Sequence, residues 1–146
     1  MSEKLTEWQK LSKVYERIEN EPGQWRNDVI EFSVIMHLRD MIQSGEKAFM
    51  AIKEEPGNEG GNTGFSVMQL GNSKYFVLFP DEETAGKLGE KCSICTTKQV
   101  LEYTAEAEDI AGIRLVYGVD SESGKYSAGL ITKKMAVIAI SEIQVQ

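Results

Sequence analysis

Metal and redox ligands are scarce in this chain: two cysteines and one histidine among 146 residues. Two thiols build no disulfide framework, and Cys92, Cys95 and His37 fall one short of the four ligands a structural zinc requires. No apolar run approaches the ~20 residues needed to cross a bilayer. The longest spans Met135 to Ile140. The N-terminal stretch MSEKLTEWQKLSK has no apolar core of a secretory signal, so the expectation is a cytoplasmic protein without membrane association. Positive charge is also short. The formal net charge is -7, with Lys and Arg interleaved among Asp and Glu, which argues against the clustered basic surface that nucleic acid demands.

What is present fits one ordinary domain. A hydrophobic fraction of 41% and a charged fraction of 27% are those of a globular chain, and nothing suggests a repeat or an interdomain linker. Leu5, Trp8, Leu11, Tyr15 and Ile18 recur every three or four residues, predicting an amphipathic helix over 3–19, closed by NEPG. Asn27 or Asp28 caps a second helix running to about Gln43, with Gly45 just beyond. Its broader apolar surface predicts the more buried of the two. Extended patterning follows: KAFMAIK, then FSVMQL and KYFVLF around GNS, read as three neighbouring antiparallel strands. Pro80 and Asp81 open a short helix whose first turn holds Glu82 and Glu83. KCSICT is a strand, Thr96 or Thr97 caps a helix over KQVLEYTAEAED, GIRLVYGV and KYSAGLI flank a turn, and Thr132 caps a last helix over 133–143, although MAVIAI alone also fits a strand. The expected fold is α+β: two N-terminal helices on a mixed, largely antiparallel sheet of about six strands, with further helices between and after the strands.

Three segments carry a family resemblance. YFVLFPDEETAGK (75–87) is similar to the N-terminal domain of the SseB family, named for an enhanced serine sensitivity phenotype in bacteria, in its apolar strand followed by an acidic helix start. ICTTKQVLEY (94–103) resembles that domain's strand-then-helix segment, and GIRLVYGVDSESGKYSAGLITKKM (112–135) its penultimate hairpin. The resemblance covers residues 65–145. It implies a small bacterial domain with no established catalytic residues, and so a binding or regulatory role.

The candidate sites are few. Cys92 and Cys95 share the spacing of redox dithiols, but on a strand positions three apart face opposite sides, with α-carbons ~10 Å apart against a ~7 Å limit for a disulfide. A thiol redox enzyme or sensor is therefore an alternative, with packed thiols the plainer reading. Gly57, Gly60, Gly61 and Gly64 feed a strand, where a phosphate loop would feed a helix. Gly118 and Gly124 are spaced one residue too wide for a P-loop, and Asp120 and Glu122 lack the later ligands of a calcium loop. His37 has no partner acid at a meaningful spacing. Trp8 and Tyr15, on one stripe of the first helix, and Trp25 in the connector are the candidate anchors for a protein partner or a second copy, with core packing as the competing use. The expectation is a non-enzymatic recognition domain acting through the first helix or a free sheet edge, with no catalytic residues, cofactor or metal. A small-ligand module using the sheet and the 54–64 loop is the third class.

Overall fold

The computed structural model describes residues 5–21, 23–53 and 64–144. The order is α1 (Glu7–Asn20), α2 (Asn27–Ser44), β1 (Lys47–Lys53), β2 (Gly64–Phe65), β3 (Val67–Leu70), β4 (Ser73–Phe79), α3 (Glu82–Lys87), β5 (Lys91–Thr96), α4 (Thr97–Glu106), β6 (Gly112–Tyr117), β7 (Ser127–Thr132) and α5 (Lys133–Gln144). The fold is α+β, and the sheet is mixed and mostly antiparallel.

β5 and β1 pair along their length, β1 meets β4 at Phe49–Phe79 and Met50–Leu78, β4 runs parallel to β6, and β6 pairs with β7. β2 and β3, separated only by Ser66, lie between the diverging ends of β1 and β4. The three expected neighbouring strands are therefore present, with an added direct contact between the first and third. Among the described residues only β4 and β6 are parallel, because α3, β5 and α4 intervene between them and supply the long crossover that parallel neighbours require.

Alternation along the strands builds two apolar layers. The larger unites Trp8, Leu11 and Tyr15 of α1 with Leu38 and Met41 of α2, Val100 and Leu101 of α4, Ala136 and Ala139 of α5, and Met50, Leu78, Ile113, Leu115 and Ile131 of the sheet. The smaller, on the opposite face, holds Ala51, Val77, Phe79 and Val116 beneath Ala85 of α3.

Local boundaries follow capping chemistry. α1 starts at Glu7 because Thr6 and Gln9 form a capping box, so its first turn begins four residues after the expected start. Asn27 and Asp28 are the first helical residues of α2, and Arg26 occupies the N-cap without a side-chain bond; Gly45, at φ 70°, closes the helix as expected. Pro80 precedes the Asp81 cap and is not itself in the helix. Thr96 caps α4 in a box with Gln99, but that helix ends at Glu106, short of the expected Asp109. Thr132 does cap α5, its hydroxyl accepting from the Met135 N–H at 3.2 Å.

Asp81 joins the two ends of this architecture. Its carboxylate accepts the Thr84 N–H and hydroxyl at 2.7 Å each, and the Gln9 side-chain amide of α1 at 2.8 Å. Burial pushes the carboxyl up, yet the Thr84 and Gln9 bonds, with help from Lys87, outweigh it and hold the group below the usual aspartate range. A depressed native pKa stabilises the fold above the unfolded value of about 3.9, and that contribution fades as pH falls through the lower folded value. Asp81→Ala is expected to lower stability by about 1–2 kcal/mol at neutral pH, with the difference from wild type shrinking below pH ~4. Urea titrations at several pH values check both parts.

Candidate functional site

The aromatic residues expected to anchor a partner divide between interior and surface. Trp8 is 0% exposed, at the centre of the larger core, and Tyr15 is buried with its hydroxyl donating to the Leu130 carbonyl at 2.6 Å. Burial, then the neighbouring Tyr117, push the Tyr15 phenol up, despite the opposing charge of Arg114. Neither can meet a partner, because the α1 stripe they share is the face that packs against the sheet. Trp25 is half-buried, its ring 5.5 Å from the Arg17 guanidinium and its indole N–H donating to Glu21 at 3.2 Å.

The apolar surface α1 does not present is found on α2. Val34, Ile35, Leu38 and Met41 face the core. Val29, Phe32 and Met36 follow one another at i, i+3 and i+7, about half a turn away, and are 45%, 66% and 38% exposed. The breadth of apolar surface on α2 therefore does not mean deeper burial: the helix has two apolar rows, and among the described residues only one has a counterpart. Beside the exposed row a shallow hollow of about 290 Å³ is lined by Trp25, Ser33, His37 and Asp40 together with the row itself. His37 thus sits at the margin of an apolar surface, and the hollow it lines also holds the Ser33 hydroxyl one turn before it and, contrary to the expectation that it has no acid at a meaningful spacing, Asp40 one turn after it. Charges border the row. Arg26 pairs with Asp28 at 3.0 Å at its start, and Asp40 is exposed at its end, next to Arg39, whose guanidinium lies 3.9 Å from the Met36 sulfur. The signal was legible in the sequence as two apolar rows on opposite sides of one helix. Reading the apolar residues together, without separating the rows, hid it.

A second concavity of about 650 Å³ lies over the smaller apolar layer, where α3 is too short to cover the sheet. Ala51, Val77, Phe79 and Val116 form its floor, Met68, Leu88 and Tyr126 its walls, and Glu90 and Lys91 lie on its rim. Of the expected small-ligand surface, the sheet face lies here, while residues 54–63 of the loop fall outside the described residues.

The two thiols take opposite sides of β5, Cys92 against the smaller apolar layer and Cys95 against the larger. Burial, then the charge of Glu82, push the Cys92 thiol up, away from the reactive thiolate. The segment 118–126 is a hairpin turn: Asp120 accepts from the Glu122 N–H at 3.0 Å and the Ser123 hydroxyl at 3.0 Å, so its oxygens are engaged within the turn. Among the described residues, no three His, Cys, Asp or Glu side chains gather as a metal site, and no helix is long and apolar enough to cross a membrane. Compared with known protein families, with curated proteins and with solved structures, the chain matches none.

Proposed function

We propose that this is a non-enzymatic cytoplasmic recognition domain that engages a protein surface, another protein's or a second copy's, through the outer face of α2. The observation that carries the reading is the row Val29, Phe32 and Met36, three large apolar side chains left in solvent beside Trp25. Contiguous exposed apolar residues with a charged border are the composition of an interaction site, and removing each from water is worth roughly 1.5–3 kcal/mol when burial is complete. The resemblance of residues 65–145 to the SseB N-terminal domain points the same way. The face is that of α2, whereas the expected aromatics of α1 serve the core.

Phe32→Glu tests this against Leu70→Glu, a matched charge placed on an apolar residue that is 46% exposed on β3. Affinity capture with the proteins identified is expected to show the Phe32 variant losing what wild type and the Leu70 variant retain, with unfolding midpoints unchanged. Equal retention by all three contradicts the reading. The groove over the smaller layer, of ligand size, favours a second reading as a small-ligand module; a thermal-shift screen of apolar compounds separates the two, since only a groove ligand raises the melting temperature of the Phe32 variant as much as that of wild type.

A further inference from the structure

Resting on the reading of the groove over the smaller layer as a ligand site, we propose that its ligand is an apolar monocarboxylate, the carboxylate held by Arg114 and the apolar body by the groove floor. Ile113, Leu115 and Tyr117 of β6 belong to the larger layer and Val116 to the smaller, so alternation sets Arg114 on the groove side of the sheet. Arg114 is the register partner of Val77 and stands two residues before Val116, both of them floor residues. A half-buried guanidinium has lost part of its water, and the loss is costly unless the charge is paired. Among the described residues no carboxylate pairs with Arg114. Its Nε is buried without a hydrogen-bond partner, and against its several N–H donors it makes one long bond, 3.4 Å from an Nη to the Ala128 carbonyl. The Tyr75 ring, with its centroid 5.9 Å from Cζ, helps fix the place of the guanidinium without supplying a full negative charge. Tyr15 lies within range of the same charge, but burial pushes that phenol up and keeps it neutral. Uncompensated positive charge beside an apolar hollow suits a ligand that is apolar over most of its length and anionic at one end. A carboxylate matches the planar guanidinium with two parallel bonds, and the concavity of about 650 Å³ has the size of a small-molecule site. Glu90 and Lys91 stand together on the rim, one of each sign, so the charge to be met is that of Arg114, and one carboxylate meets it.

The test uses the full chain with decanoate and decanol as probes, which share an apolar body and differ in charge, followed by calorimetric titration and thermal unfolding. Wild type is expected to bind decanoate roughly tenfold more tightly than decanol. Arg114→Met, uncharged and similar in length, is expected to bind the two alike, with an unfolding midpoint no lower than that of wild type, since an unpaired cation has left the sheet. An arginine serving the fold alone would lower the midpoint and leave the ratio of affinities unchanged. Tyr126→Ala, on the wall where the ring is 44% exposed, should weaken both probes together. Phe32→Glu, on a helix packed against the larger layer, should leave both unchanged, which separates the groove from the hollow beside α2. Equal binding of the two probes by wild type, or a preference for decanoate that survives Arg114→Met, overturns the carboxylate assignment while the groove stands as a site for uncharged ligands. Loss of both probes in Phe32→Glu but not in Tyr126→Ala places them at α2 and overturns the proposal. Binding of neither probe to wild type, with no rise in melting temperature, overturns the groove reading together with it.

Discussion

Trp8→Ala is expected to cost about 3–5 kcal/mol of stability, the range for deleting a large aromatic from a core. Trp8 has no exposed surface, lies where α1 meets the larger apolar layer, and has Leu11 and Tyr15 as neighbours along the same stripe. Truncation leaves a cavity that a helix pinned at Thr6 and Gln9 cannot collapse to fill. Against a total stability of about 5–15 kcal/mol for an ordinary domain, the loss leaves a marginal fold. Among the described residues its indole N–H finds no hydrogen-bond partner, so Trp8→Phe keeps most of the apolar volume and removes an unsatisfied donor; it should cost much less. Chemical denaturation of the two variants checks the ordering. A Trp8→Ala protein as stable as wild type would show that the residue is not packed as described.

Gly129→Ala is the second large effect. The position lies on β7 beneath the Tyr15 ring, and a β-carbon there would stand 2.5 Å from the Cγ of that ring, well inside van der Waals contact. The ring cannot swing aside, because its hydroxyl is bonded to the Leu130 carbonyl and its face is held by the core. One methyl group must therefore lift α1 from the sheet or bend β7, at a cost of about 3 kcal/mol. Tyr15→Ala removes the obstacle, so the double variant should be clearly less destabilised than the sum of the singles, a coupling that a denaturation cycle measures directly. Additive losses would contradict the contact.

These two positions show what was legible in the sequence and what was not. The 3.6-residue period of α1 placed Trp8 and Tyr15 on one stripe, and a stripe is all that periodicity can supply. Whether it faces the sheet or a partner depends on tertiary packing, and here Gly129, a residue whose side-chain absence looks like strand punctuation, provides the flat surface on which Tyr15 rests. The α+β class, the strand-to-helix junction at Thr96 and the opposed faces of Cys92 and Cys95 follow from local patterning, because period two and capping boxes are properties of neighbouring residues. Helix starts depended on side-chain bonds only partly visible in the pattern. Arg26 at the N-cap of α2 makes no capping bond, and Asn27 and Asp28, the better caps by composition, stand in the first turn. The candidate surface was hidden for a different reason: apolar breadth on a helix signals burial only when elements exist to cover both rows, and the count of covering elements is a property of the whole fold.

The most direct measurement of the central claim, that the outer row of α2 is the surface through which the chain meets another protein or a second copy, is affinity capture read beside sedimentation velocity for wild type, Phe32→Glu and Leu70→Glu. Wild type and Leu70→Glu should retain the same identified partners, or rise together from 16.3 kDa toward twice that mass, while Phe32→Glu should do neither, with an unfolding midpoint equal to that of wild type. A Phe32→Glu variant that retains those partners, or associates as wild type does, would contradict it.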